Sequence, residues 1–223
     1  EAISDFTRAI SLDQNNASSY NSRGLSRDRA GARDDALADF TRAIELDPSN
    51  AVYRHNRGFC FRNCGDFARA VSDYTDAIGL DDGNAAAYNN RGYAQRKLGR
   101  YDLAVADYSS SLELDPDNIK TLNNRGYSYA KMGDFARAVA DYSRVIALDP
   151  GNSHAYHNRG ISHDKLGNWD AAITDFSRVL ELYPSNANAY FNRGSTYDSA
   201  GKYDKAIADY TKALELDRQI VSS

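Results

Sequence analysis

The chain has 223 residues, 42% of them hydrophobic, and 31 Asp and Glu against 27 Lys and Arg leave a net charge of -4. No basic run exists, which argues against the broad phosphate footprint of a nucleic-acid binder, and no apolar stretch approaches the ~20 residues of a membrane span. Two cysteines fit a reducing compartment, and the chain is expected to be intracellular and cytoplasmic; the lack of a signal peptide at its start says little about a longer parent protein.

Residues 1–16 open inside a helical pattern and read as the second helix of an incomplete unit, since Ala2, Phe6 and Ala9 return as Ala36, Phe40 and Ala43. Such an opening suggests a piece of a longer protein. Full units of 34 residues follow at 17–50, 51–84, 85–118, 119–152, 153–186 and 187–220, with a short tail at 221–223. Every unit has Arg-Gly at its seventh and eighth places, Gly at its fifteenth and Ala at its twentieth, as in Arg91-Gly92, Gly99 and Ala104. A strict period of this kind marks a solenoid, in which each unit buries its apolar face against its neighbours.

Within each unit a first helix is predicted to run from about the second place to the Gly of the fifteenth, a helix-ending residue. A second helix with apolar residues at i, i+3, i+4 spacing follows, as in Ala104, Tyr108, Ser111 and Leu112. It ends in a turn such as Leu114-Asp115-Pro116-Asp117-Asn118, where Pro blocks continuation and the closing Asn is placed to cap the next first helix. Short linkers predict one continuous array.

The 34-residue unit and its Tyr–Gly–Gly–Tyr/Phe–Ala–Tyr/Phe–Ala–Pro skeleton resemble the tetratricopeptide repeat family over essentially the whole chain. The resemblance implies an all-α fold, a right-handed superhelical α-solenoid of antiparallel helix pairs whose concave groove binds extended peptides or partner helices. Departures are modest: Arg54 stands where the fourth-place aromatic recurs, Gln14, Asp82 and Arg218 replace the closing Pro, and Arg takes the seventh place where the family usually has Leu.

A guanidinium at the seventh place lies beside the buried stripe of the first helix and needs an anionic partner. The Asp of the twenty-third place recurs without exception, so Arg57, Arg91, Arg125, Arg159 and Arg193 are predicted to pair with Asp73, Asp107, Asp141, Asp175 and Asp209 as structural ion pairs. Pairing within a unit and pairing with the preceding unit both remain open.

The opposite side of the first helix carries the second, fifth, sixth, ninth, twelfth and thirteenth places. Asn recurs at the sixth as Asn56, Asn90, Asn124, Asn158 and Asn192. Carboxamides can hydrogen-bond an extended backbone of any sequence, and the row resembles the asparagine ladder of the nucleocytoplasmic N-acetylglucosamine transferase; bonding between neighbouring helices is the alternative. The fifth place adds Asn89, Asn123 and His157, and the ninth an aromatic and apolar row of Phe59, Tyr93, Tyr127 and Ile161 suited to anchoring a ligand. A basic edge at the twelfth and thirteenth places, Arg29, Arg62, Arg96, Lys97, Lys131 and Lys165, suggests an acidic or carboxylate-bearing partner, with a solvated edge as the alternative. The Lys and Asn positions by which some family members clamp a terminal carboxylate are not matched.

His154 and His157 lie one turn apart, but no further ligand completes a metal site at recognisable spacing. Cys60 and Cys64 are likewise one turn apart, where a disulfide would strain the usual bridge geometry. No phosphate-binding loop, nucleophile elbow or zinc-protease motif occurs, so neither enzymatic activity nor a cofactor is expected. The chain therefore reads as a protein-interaction scaffold binding an extended peptide. Two alternatives stay open: a sensing region of a larger signalling protein such as an NB-ARC type switch ATPase, and a structural module that self-associates head to tail.

Overall fold

The computed structural model describes the backbone of residues 1–221 and the side chains through Asp217. Most of the tail read from the sequence, and the side chains of 218–221, lie outside the described residues. The chain divides into two compact units, Glu1–Pro116 and Asp117–Ser223. The first holds α1 (Ala2–Leu12), α2 (Ala17–Arg29), α3 (Arg33–Leu46), α4 (Ala51–Asn63), α5 (Phe67–Leu80), α6 (Ala85–Lys97) and α7 (Tyr101–Leu114). The second holds α8 (Ile119–Lys131), α9 (Phe135–Leu148), α10 (Ser153–Lys165), α11 (Trp169–Leu182), α12 (Ala187–Ser199) and α13 (Tyr203–Val221). The described residues contain no strand; the fold is an all-α array of helix pairs.

Local chemistry places the boundaries. The Asn before each even-numbered helix accepts a hydrogen bond from a first-turn amide, as Asn84 does from Ala87 and Asn186 from Ala189. Each of these helices ends at a Gly in the left-handed region, with φ of 83° at Gly31 and 77° at Gly99. At Gly31 the Ala32 amide reaches Arg27 O at 2.9 Å and the Gly31 amide reaches Asp28 O at 3.0 Å, the double bond set that closes a helix and reverses the chain. The next helix returns at once and packs against the one it follows.

The pairs close on a narrow seam. Ala36, Ala70, Ala104, Ala138 and Ala172 are fully buried, and Phe40, Tyr74, Tyr108, Tyr142 and Phe176 are at most 1% exposed. Those rings lie flat on the preceding helix where Arg-Gly recurs: a Cβ added at Gly92 would sit 2.9 Å from Tyr108 Cε1 and 3.2 Å from the Ala104 carbonyl oxygen. Only a glycine lets the two helices come this close.

The recurring spacing of Arg and Asp is realised inside each helix pair. Arg57 donates from Nε and Nη2 to the two Asp73 oxygens at 2.8 and 2.7 Å. Arg91–Asp107, Arg125–Asp141, Arg159–Asp175 and Arg193–Asp209 repeat the arrangement at 2.6–2.7 Å. The remaining nitrogen reaches backward: Arg57 Nη1 donates to Thr41, Arg91 Nη1 to Thr75, Arg159 Nη1 to Ser143 and Arg193 Nη1 to Ser177. Each of these four guanidiniums thus ties its own pair with an ion pair and the preceding pair with a hydroxyl.

Candidate functional site

With the aromatic seam and the Arg–Asp pairs buried, the first-helix faces of α4, α6, α8, α10 and α12 carry the remaining candidate side chains. The asparagines of this face reach the neighbouring first helix. Asn56 on α4 donates to Asn21 Oδ1 on α2 at 2.9 Å. Asn90 on α6 donates to His55 Nε2 on α4 at 3.0 Å, while its Oδ1 accepts from Arg62 Nη1 at 2.8 Å. In the second unit Asn192 on α12 meets His157 Nε2 on α10 at 3.3 Å. These amides link successive first helices, and Asn90, only 8% exposed, has both ends of its carboxamide engaged.

The rest of the row is less enclosed. Asn89, Asn124 and Asn158 are half-buried, and the backbone carbonyls of Asn124 and Asn158 accept from Ser128 and Ser162 one turn on. Asn123 turns its amide back to Ile119 O at 3.0 Å.

His55 and His157 sit against rings of the following helix, edge-on to Tyr74 at 5.5 Å and Phe176 at 5.7 Å. Burial lowers the pKa of both, assisted at His55 by the charge of Arg62 and at His157 by His154. The shift favours the neutral ring in both, and at His55 the Asn90 amide, its Oδ1 already taken by Arg62, donates to Nε2.

The ninth-place aromatics are partly open. Phe59 is 38% exposed, Tyr93 and Tyr127 are half-buried, and Ile161 is half-buried in the second unit. Cations gather on the rings: Arg62 lies 4.2 Å from the Phe59 centroid, Arg96 lies 4.9 Å and Lys97 5.6 Å from that of Tyr93. Lys131 lies 5.4 Å from Tyr127, and Lys165 is exposed.

The second unit differs. Its twelfth-place residues are Ala130, Asp164, which accepts from Thr196 Oγ1 at 2.9 Å, and Asp198. Phe191, where other pairs have Asn or His, is 56% exposed and 5.6 Å from Tyr210, beside a cleft of about 540 Å³ that also meets Leu214 and Asp217.

The sequence places Arg62 and Asn90 on this face but does not reveal their direct contact or that of Asn90 with His55. The available signal was the His/Asn alternation at the fifth place against invariant Asn at the sixth one unit later. Elsewhere, Cys60 and Cys64 are free thiols, and burial pushes Cys60 up to about 12, far from a reactive thiolate. Among the described residues no group of three or more His, Cys, Asp or Glu is arranged to hold a metal, and no helix is long and apolar enough to cross a membrane.

Family models described as tetratricopeptide repeat match residues 1–51 and 157–219, 85–118 and 119–152, and 40–72. No curated protein matches the sequence. Among solved structures, YrrB, described as a TPR protein with an unusual peptide-binding site, superposes with a TM-score of 0.73 at 25% identity, over 79% of this chain and 91% of its own. MamA gives 0.72 at 24% identity over 74% of this chain and 97% of its own. A tetratricopeptide repeat protein from Parabacteroides merdae gives 0.76 at 22% identity over 89% of this chain and 79% of its own. The likeness to MamA and the Parabacteroides protein is one of fold.

Proposed function

The chain belongs to the tetratricopeptide repeat family, and from that premise we propose that it is a protein-interaction scaffold holding an extended segment of a partner on its first-helix faces. The repeat frame is the one read from the period, starting at residues 17, 51, 85, 119, 153 and 187. One observation carries the reading: Phe59 is 38% exposed while Phe61, two residues further on the same helix, is 8% exposed. Phe61 packs in the seam; Phe59 stands in the open beside Tyr93 on the next first helix, the kind of aromatic pair that anchors a ligand. The peptide-binding site in the description of YrrB supports the same use of the fold. In this reading Phe59 and Tyr93 anchor a ligand on the first unit beside half-buried Asn89, Tyr127 and Ile161 offer the same chemistry on the second beside Asn124 and Asn158, and Asn56, Asn90 and Asn192 each hold helices within their own unit.

The test is an array of short synthetic peptides probed with the full chain, followed by affinity measurements on the peptides retained. Phe59→Ala and Tyr93→Ala should each weaken binding about tenfold or more. Equal binding by the parent and both variants would overturn the reading.

A second reading, self-association, is favoured by α13. Leu214 is 60% exposed, whereas Leu180, which holds the same place on α11, is 7% exposed under α12. Concentration-dependent sedimentation tests it; a monomer at all concentrations removes it.

A further inference from the structure

We propose that the face around Arg62 selects acidic peptides by binding a carboxylate side chain; this rests on the reading of the first-helix faces as the peptide-binding surface. α4 carries three arginines that reach beyond their own backbone. Arg54 pairs with Asp76 and Arg57 with Asp73. Arg62 has no ion-pair partner among the described residues. Its guanidinium is instead held between two rings, 4.2 Å from the Phe59 centroid and 5.4 Å from that of Tyr93, and is fixed by one hydrogen bond to Asn90 Oδ1 at 2.8 Å.

Two more cations share the Tyr93 ring, Arg96 at 4.9 Å and Lys97 at 5.6 Å. Arg62 and Lys97 about one ring repel each other, and the attraction of each for the π-face offsets this without neutralising it. An anion arriving among them removes the repulsion. The positive field is already felt inside the protein, where after burial it is Arg62 that depresses His55.

The chemistry of the anion follows from the geometry of the donor. A guanidinium offers five N–H groups in one plane, and Asn90 takes one of them. With its Cζ over two rings and one N–H held by Asn90, Arg62 keeps four N–H groups of its fork, a donor set that matches the paired oxygens of a carboxylate. The exposed Phe59 ring beside it accepts an apolar neighbour of the acidic residue. The corresponding places on α8, α10 and α12 carry Ala130, Asp164 and Asp198, so this recognition belongs to the first unit.

The experiment uses the full chain and fluorescein-labelled peptides taken from the array, each in three forms: the acidic peptide, its copy with Glu and Asp changed to Gln and Asn, and a copy with phosphoserine at those positions. The acidic form should bind roughly tenfold more tightly than the carboxamide form. Arg62→Gln, which can still donate to Asn90, should abolish that difference, and Lys97→Gln, at an exposed site, should reduce it with the thermal melt unchanged. Equal binding of acidic and carboxamide forms overturns the proposal while leaving the peptide-binding face intact. Tighter binding of the phosphoserine form overturns the carboxylate assignment in favour of phosphate. An array that retains nothing overturns the underlying reading and this one with it.

Discussion

Arg57 grips Asp73 through two hydrogen bonds of 2.8 and 2.7 Å while its third nitrogen reaches Thr41 at 3.1 Å on the helix pair before. The carboxylate is buried, 3% exposed, and it raises the Arg57 guanidinium further above its ordinary value. Removing one partner leaves an uncompensated charge in the seam. Arg57→Met and Asp73→Leu should therefore each cost about 3–5 kcal/mol in urea unfolding. The double change Arg57→Met/Asp73→Leu should cost much less than the sum, because no stranded charge remains. Additive losses would show that the pair is not coupled.

Glycines in this array do two different jobs, and substitution separates them. At Gly92 an added methyl would meet the Tyr108 ring at 2.9 Å and the backbone oxygen of Ala104 at 3.2 Å, so Gly92→Ala should destabilise by roughly 1–3 kcal/mol. At Gly79, within α5, nothing lies within 4 Å of the added atom, and Gly79→Ala should stabilise by about 0.4–1 kcal/mol. Chemical denaturation of the two variants side by side checks both signs.

Acid should loosen the links between first helices at His55 and His157. Both are lowered from the ordinary value of 6.5, so in mildly acidic solution the unfolded chain binds more protons than the folded one. Their contribution to stability is complete above about pH 6.5 and is lost as pH falls through the lowered folded values. His55→Asn should flatten this dependence at its site while keeping the link, because Asn56 already bonds Asn21 in the same relation one helix pair earlier. Melting temperatures followed from neutral to mildly acidic pH provide the readout; an unchanged slope in His55→Asn would show that the slope arises elsewhere.

Much of this was legible in the sequence because it is periodic in one dimension. The Gly-terminated helices, the Asn caps and the need of each Arg for its Asp all follow from spacing along a helix. What spacing could not convey is the offset between neighbouring helices. That offset lets Arg57 reach Asp73 in its own pair, so of the two pairings left open by the sequence the one within the unit is realised, and it adds a bond to the Thr41 hydroxyl in the pair before. It also brings Asn90 against His55, turning an amide that looked free for a ligand into a link between helices. The Gly of each Arg-Gly was visible only as a recurring letter until the Tyr108 ring was seen lying on Gly92.

The asparagine row can now be divided, and the division makes the last prediction. Asn90 holds His55 and Arg62 together, so Asn90→Ala leaves a ring nitrogen and a guanidinium without their partner and should cost about 1–3 kcal/mol of stability. Any loss of ligand binding in that variant would come with a lowered melt. Asn124 and Asn158 are half-buried, and their changes to Ala should leave the melt within about 0.5 kcal/mol of the parent. If those amides meet a peptide backbone, the pair Asn124→Ala/Asn158→Ala should weaken capture with stability preserved. Capture unaffected by that pair would confine the ladder to joining helices and leave anchoring to Phe59 and Tyr93.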